Sequence, residues 1–272
     1  MEQFRAPDGT LLAYDVFQPT TSHKPLAAIL WVCGWSDHRT RWKQPAERLA
    51  TAGYAVYILD QRGHGDSAGI RGYLSRFSQL LADIQAFRRL IRSKLDVPQI
   101  LLGHAFGGLV VLRYLETQPA DPVAGAVLSS PWLRLARPVS LLTRLAARPL
   151  ADLWPSLPLA TGLDARQLSR DPAVAAAYRA DPVVHHVLTP GAWREIQWAQ
   201  RVVPVDAHRI RVPLLFLLAG KDAIVDAPRA QSFAAGLRGS VETRWYPEMY
   251  HELLLDTDSE KPLADLLEFL AR

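Results

Sequence analysis

The sequence predicts an α/β fold with a mainly parallel central sheet, helices on both faces and a helical insertion. Three observations carry that expectation. Short strands rich in branched residues show almost no polar alternation, amphipathic stretches of helical length separate them, and one long proline-punctuated segment breaks the rhythm. Strands that are apolar on both faces belong inside a parallel sheet, and their alternation with helices covers both sides of it. At 272 residues the chain can bury a substantial core as one domain with an insertion.

The elements follow in order. The chain opens as a hairpin, with strand Glu2–Arg5, a turn at Pro7-Asp8-Gly9, and a returning strand Leu11–Phe17. The buried strands are Ala27–Val32, Ala55–Leu59, Ile100–Leu102, Ala124–Leu128 and Leu214–Leu218. Helical patterns occupy Trp42–Thr51, Phe77–Leu95 and Gly107–Thr117. Beyond the last of those strands come a helix Pro228–Leu237, a strand Val241–Tyr246 and a closing helix Lys261–Leu270. Asp226 stands where a helix cap belongs, two residues before Pro228. Pro131–Pro204 is helical in tendency and carries no convincing strand. Lying between two core strands, it should fold over one end of the sheet. The expected organisation is a core of residues 1–130 and 206–272 with a helical cap at 131–205.

Composition excludes several classes. With 49% apolar and 21% charged residues the chain is neither disordered nor of low complexity. The net charge of +4, carried mostly by arginine, favours acidic surfaces. Nucleic acid is not an expected partner, because no helix-turn-helix, zinc-finger or aromatic-basic signature is present. Met1-Glu2-Gln3-Phe4-Arg5 lacks the basic-then-apolar layout of a signal peptide, and no apolar run reaches the length of a membrane span. One cysteine, Cys33, leaves no internal disulfide and no multi-cysteine metal site. The expectation is a soluble, cytoplasmic protein that uses no metal and no cofactor. Oligomeric state leaves no mark on the sequence.

Ligands of open parallel sheets bind outside the carboxyl ends of the strands. After Ile100-Leu101-Leu102 comes Gly103-His104-Ala105-Phe106-Gly107-Gly108 and then a helix. This is the G-x-S-x-G strand-to-helix elbow except at its centre, where Ala105 replaces serine. Its spacing fits neither a dinucleotide fingerprint nor a phosphate-binding loop. The strand Leu214–Leu218 leads into Ala219-Gly220-Lys221-Asp222, and Val241–Tyr246 leads into Pro247-Glu248-Met249-Tyr250-His251-Glu252. Nucleophile position, acid and histidine thus stand in one order at three strand ends. In that arrangement Asp222 would orient and support His251, which would take the proton of a nucleophilic hydroxyl. A lone loop aspartate or histidine is more often structural; the three together are not.

Further segments carry a resemblance that covers nearly the whole chain. Asp60-Gln61-Arg62-Gly63-His64-Gly65-Asp66-Ser67 resembles the D-x-R-G-x-G-x-S loop common among α/β-hydrolases. Cys33-Gly34-Trp35-Ser36-Asp37-His38 occupies the place of the H-G-x-x-E-H segment of bacterial monoacylglycerol lipases and lysophospholipase-like serine esterases, and Tyr250-His251-Glu252 is similar to their histidine segment. The resemblance implies an oxyanion hole made by the main-chain N–H groups of Trp35 and Phe106. It also implies ester hydrolysis through a serine acyl-enzyme, with a monoacylglycerol, lysophospholipid or other medium-to-long acyl ester as the small-molecule substrate. Two positions depart from the family pattern. Cys33 replaces the usual histidine and reads as a packed thiol at a strand end. Ala105 is decisive, since a methyl group cannot attack a carbonyl and no acyl-enzyme can form on it. A Ser→Ala substitution in a working esterase is favoured by the retained Asp222 and His251. A natural homologue that lost its nucleophile and binds a ligand is the alternative. An aspartate-nucleophile origin is weaker, because the neighbouring segments look like the lipase group.

The insertion should set what enters. Leu133, Leu135, Leu141, Leu142, Leu145, Leu150 and Leu153 run through it beside Arg134, Arg137, Arg144 and Arg148, whose spacing would place the arginines on one face of a continuous helix. Two readings stand: transient contact with an anionic membrane surface, or an ordinary solvated face. Trp35, His104, Trp132, Leu142 and Trp154 are the expected substrate contacts, while Trp193 and Trp198 read first as core. His185-His186 is set aside as a metal site, because adjacent side chains diverge and no further ligands accompany them.

Overall fold

Among the described residues ten strands form: β1 (Glu2–Arg5), β2 (Leu11–Phe17), β3 (Ala28–Val32), β4 (Ala55–Leu59), β5 (Gln99–His104), β6 (Gly125–Ser129), β7 (Leu159–Ala160), β8 (Val187–Leu188), β9 (Leu214–Ala219) and β10 (Val241–Tyr246). The structure, a computed structural model, describes residues 1–20, 24–117, 121, 123–140 and 149–272. Eight strands pair in the order β1-β2-β4-β3-β5-β6-β9-β10. β1 and β2 run antiparallel to their neighbours, and from β4 to β10 every pairing is parallel. This is the α/β-hydrolase sheet that the sequence leads one to expect.

The strand pattern explains the two cores. Along β3, Ala28, Leu30 and Val32 enter one cluster, whereas Ile29 and Trp31 enter the other. Side chains of a strand alternate faces, so a strand with no polar position must be covered on both. The first cluster is covered by α2 (Phe77–Lys94), α3 (Phe106–Thr117), α5 (Pro190–Asp206) and α6 (Ala227–Ala235), through Phe77, Phe87, Phe106, Ile196 and Ala230. The second is covered by α1 (Lys43–Thr51) and α7 (Glu260–Leu270), through Leu49 and Leu266. Each such large side chain, fully buried, stabilises by about 1.5–3 kcal/mol. Asp226 caps α6 by accepting the Arg229 N–H at 2.8 Å.

The segment between β6 and β9 departs from the sequence-based picture twice. It contains a short antiparallel ribbon, β7 with β8, where no strand was expected. Two-residue strands are too short to show a period. Residues 131–140 are irregular rather than helical, with Leu135 bridged to Val225 and Arg134 paired with Asp226. Arg134 and Arg137 therefore do not share a helical face. Leu141, Leu142, Arg144, Leu145 and Arg148 lie outside the described residues. Within the segment, α4 (Pro172–Ala180) packs Ala175 and Tyr178 with Leu168 and Val184 into a small cluster of its own. Among the described residues no helix is long and apolar enough to cross a membrane.

Candidate active site

β5 ends at His104, α3 begins at Phe106, and Ala105 alone makes the turn, at φ +48°. A non-glycine residue there is strained by about 1–3 kcal/mol and persists only where its surroundings fix it. They do so here. The Ala105 N–H donates to Ser129 O at 2.9 Å, and its carbonyl accepts the N–H of Gly108 at 3.0 Å and of Trp132 at 2.9 Å. The glycines permit the close approach: a Cβ on Gly103 would lie 2.6 Å from the Gly107 carbonyl, and one on Gly107 would collide with the Val32 carbonyl.

Behind this turn the loops after β9 and β10 bring two groups together. Asp222 Oδ2 accepts the His251 Nδ1–H at 2.7 Å, and both side chains are buried. Asp222 Oδ1 takes the N–H groups of Ile224 and Val225, each at 2.9 Å, which fixes the carboxylate. Ser130 Oγ donates to the His251 carbonyl at 2.9 Å and anchors the other side of the loop. Burial alone would lower the His251 pKa, but the Asp222 charge and hydrogen bond outweigh it and the net shift is upward. His104 packs its ring 4.9 Å from His251 and 4.7 Å from Trp42. Burial, and then the neighbouring His251, push its pKa well down and hold it neutral.

Trp35 and Phe106 line the same cavity as Ala105. The N–H groups of Trp35 and Phe106 meet no acceptor among the described residues. Gly34, just before Trp35, is fixed by its N–H bond to Asp37 Oδ2 at 3.2 Å. Ala105 and His251 line a cavity of about 420 Å³, with Asp222 behind the histidine. Most of its wall is apolar, including Trp132, Leu135, Leu188, Trp193 and Ile224.

One end of the cavity is polar, and sequence reasoning missed it. Arg41 forms a two-pronged pair with Glu252 at 2.7 Å on each prong, bonds Asp37 at 2.9 Å, and lies 4.8 Å over the Tyr178 ring. Burial would raise the Asp37 carboxyl, but the Arg41 charge beside it keeps the net shift downward. The signal for Glu252 was its place directly after His251. Arg41 and Tyr178 offered none.

The other expected residues separate. Trp35, His104 and Trp132 line the cavity; Trp154 is 58% exposed and stands apart from its lining. Leu142 falls outside the described residues. Trp193 lines the cavity, and Trp198 packs on Phe77. The Asp60–Ser67 loop is scaffold: Asp60 accepts the N–H groups of Arg39 and Asp66, and Ser67 Oγ bridges the Asp60 carbonyl and the Ala13 N–H. Cys33 is buried, and burial pushes its thiol pKa well up. His185 packs on Trp35 and His186 on Tyr178, and no group of three or more metal-ligating side chains occurs among the described residues.

Comparison with known proteins places the chain in a family. The family model described as serine aminopeptidase, S33 (Hydrolase_4) matches residues 23–258. The monoacylglycerol lipase of Mycolicibacterium smegmatis is 32% identical over 273 residues, covering 98% of this chain and 95% of that protein. Phospholipase YtpA of Bacillus subtilis is 29% identical, over 87% of this chain and 92% of that one. The crystal structure of Paleococcus ferrophilus monoacylglycerol lipase superposes with a TM-score of 0.85 at 29% identity, covering 95% and 98% of the two chains.

Proposed function

This chain belongs to the serine aminopeptidase S33 family of α/β-hydrolases, and from that premise we propose that its site is built for carboxylic-ester hydrolysis through an acyl-enzyme at position 105. The substrate class is a monoacylglycerol or lysophospholipid, whose acyl chain lies along the apolar wall of the cavity. Asp222 holds His251 in the tautomer that leaves Nε2 free, and His251 serves as general base and then general acid. The Trp35 and Phe106 N–H groups stabilise the oxyanion of the tetrahedral intermediate. Residues 131–205 act as the cap over the cavity. Their exposed Leu153 and Trp154 support a peripheral contact with lipid surfaces.

With Ala105 in place the chain holds an ester without forming the covalent intermediate. A Ser→Ala substitution in a working esterase accounts for this best. The observation that carries the reading is the 2.7 Å Asp222–His251 pair beside a strained elbow that serves only to project a side chain. A protein that had turned to binding alone would have no use for either.

The test is Ala105→Ser beside the chain as it stands, against a graded series of acyl esters, a monoacylglycerol and a lysophospholipid. The expected result is hydrolysis by the serine form that His251→Ala abolishes. A folded but inert serine form would replace this reading with a ligand-binding homologue.

A further inference from the structure

The segment that carries the first oxyanion donor is bonded to the insertion at four points. Trp35 Nε1–H donates to the Val187 carbonyl of β8 at 2.9 Å. The Tyr178 hydroxyl of α4 donates to the Ser36 carbonyl at 3.3 Å, and Ser36 Oγ lies 3.4 Å from His185 Nδ1. His38 Nε2 meets Asp181 Oδ2 at 2.9 Å. Two of these bonds fall on Ser36, which holds φ +57°. A strained non-glycine residue of this kind stays in place only when its neighbours over-determine it. The core fixes Gly34, before the donor, through Asp37. The insertion fixes the side chain of the donor residue and the residue after it.

The Trp35 ring completes the tie. It stands edge-on to Phe106, the second donor residue, at 5.0 Å, to His64 of the core at 4.9 Å, and to His185 of the insertion at 6.0 Å. The core strap beside it grips the same ribbon: the Thr189 N–H donates to Gly72 O at 3.0 Å, and a Cβ on Gly72 would collide with the Val187 carbonyl. One ring thus touches both donor residues' surroundings and the seated β8 segment.

We propose that Trp35 is a positioning residue whose indole ties its own main-chain N–H to the insertion, so that the oxyanion hole takes its working shape only when the β8 segment is seated. Cap closure and assembly of the hole are then one event, and chemistry is confined to the closed, water-poor state. The catalytic consequence rests on the ester-hydrolase reading above; the structural tie rests on the contacts alone.

The experiment has two arms. In the first, hydrogen exchange is followed on the chain as it stands and on Trp35→Phe, which keeps an aromatic ring on Phe106 and removes the donor to Val187. Amides of residues 34–38 and 185–189 are expected to exchange about tenfold faster together, with β5 and α3 unchanged. Tyr178→Phe, which removes only the hydroxyl bonded to Ser36, is expected to loosen the same amides. Unchanged exchange at 34–38 in both variants overturns the tie. In the second arm, on the Ala105→Ser background, Trp35→Phe is expected to lower kcat roughly tenfold to a hundredfold, less than the roughly 10²–10³ that follows outright loss of an oxyanion donor, because the N–H is loosened and not removed. Affinity for an alkylboronic acid, which mimics the tetrahedral state, should fall in parallel with kcat and several-fold more than binding of a non-hydrolysable glycerol alkyl ether, which reads the cavity-lining contact of Trp35 alone. Equal weakening of boronic acid and ether with kcat kept would leave Trp35 a cavity-lining residue alone and overturn the proposal. An inactive Ala105→Ser protein would sink the esterase reading while the exchange arm still decides the tie.

Discussion

At the scale of single residues the site is a set of groups held against their own preferences. Ala105 sits in left-handed backbone, and His251 is buried yet shifted toward its charged form by Asp222. The direction of that shift fixes a pH dependence. A base whose pKa is raised needs a higher pH to be free, so activity of the Ala105→Ser form should climb along a limb centred above 6.5, the ordinary imidazole value. Asp222→Asn on that background is expected to lower kcat by roughly 10⁴, the order seen when the acid of such a triad is neutralised. A pH–rate profile of both forms measures this, and an Asp222→Asn protein within tenfold of its parent would contradict the assigned role. Ala105, Asp222 and His251 drew notice in the sequence because each stands in the segment after a strand of the sheet, where parallel sheets expose their loop residues. The Arg41–Glu252 pair did not, since its partners are 211 positions apart and no local pattern links them.

At the scale of elements, packing of α3 on α5 contains a second titrating group. Glu116 is fully buried on α3, pairs with Arg113 at 2.9 Å, and has one carboxylate oxygen without a partner. Arg113 also reaches Asp206 at 2.7 Å and lies 5.3 Å over the Trp198 ring. Burial pushes the Glu116 carboxyl up to about 8, with Arg113 opposing the shift. A carboxyl raised in the folded state binds its proton more tightly there than in the unfolded chain. Its stabilising contribution is therefore whole below the ordinary value of 4.5 and is lost as pH rises through about 8. Glu116→Gln, which keeps the shape and removes the charge, is expected to melt higher than its parent at pH 9 and to lose that advantage by pH 5. Melting curves across that range check it, and an equal difference at both ends would contradict it. Such a pair escapes sequence reading, because Glu116 stands on a helix whose polar positions look alike until the neighbouring helix is in place.

At the scale of the whole molecule, the sheet and its covering helices were legible from strands apolar on both faces alternating with amphipathic stretches of helical length. The insertion was not. Its β7–β8 ribbon is too short for any periodicity, and residues 131–140 are held by contacts to Val225 and Asp226 rather than by helix propensity. The ribbon nevertheless grips the Trp35 loop, through the Trp35 Nε1–H bond to the Val187 carbonyl. The outer face of the insertion carries Leu153 at 84% and Trp154 at 58% exposure. If this face meets lipid, the chain should sediment with liposomes, more with anionic than with neutral ones given its net charge of +4. Leu153→Asp with Trp154→Ala should reduce that binding, and binding indifferent to both lipid charge and these residues would contradict the contact.

Intact-mass spectrometry reads most directly the proposed acyl-enzyme chemistry, interrupted here at one atom. The Ala105→Ser protein, quenched in acid during turnover of a slow acyl ester, should gain the mass of one acyl group, mapped by peptide digestion to position 105. The Ala105 chain treated alike should gain none. Turnover without an adduct at position 105, or equal turnover by the two forms, would contradict the account.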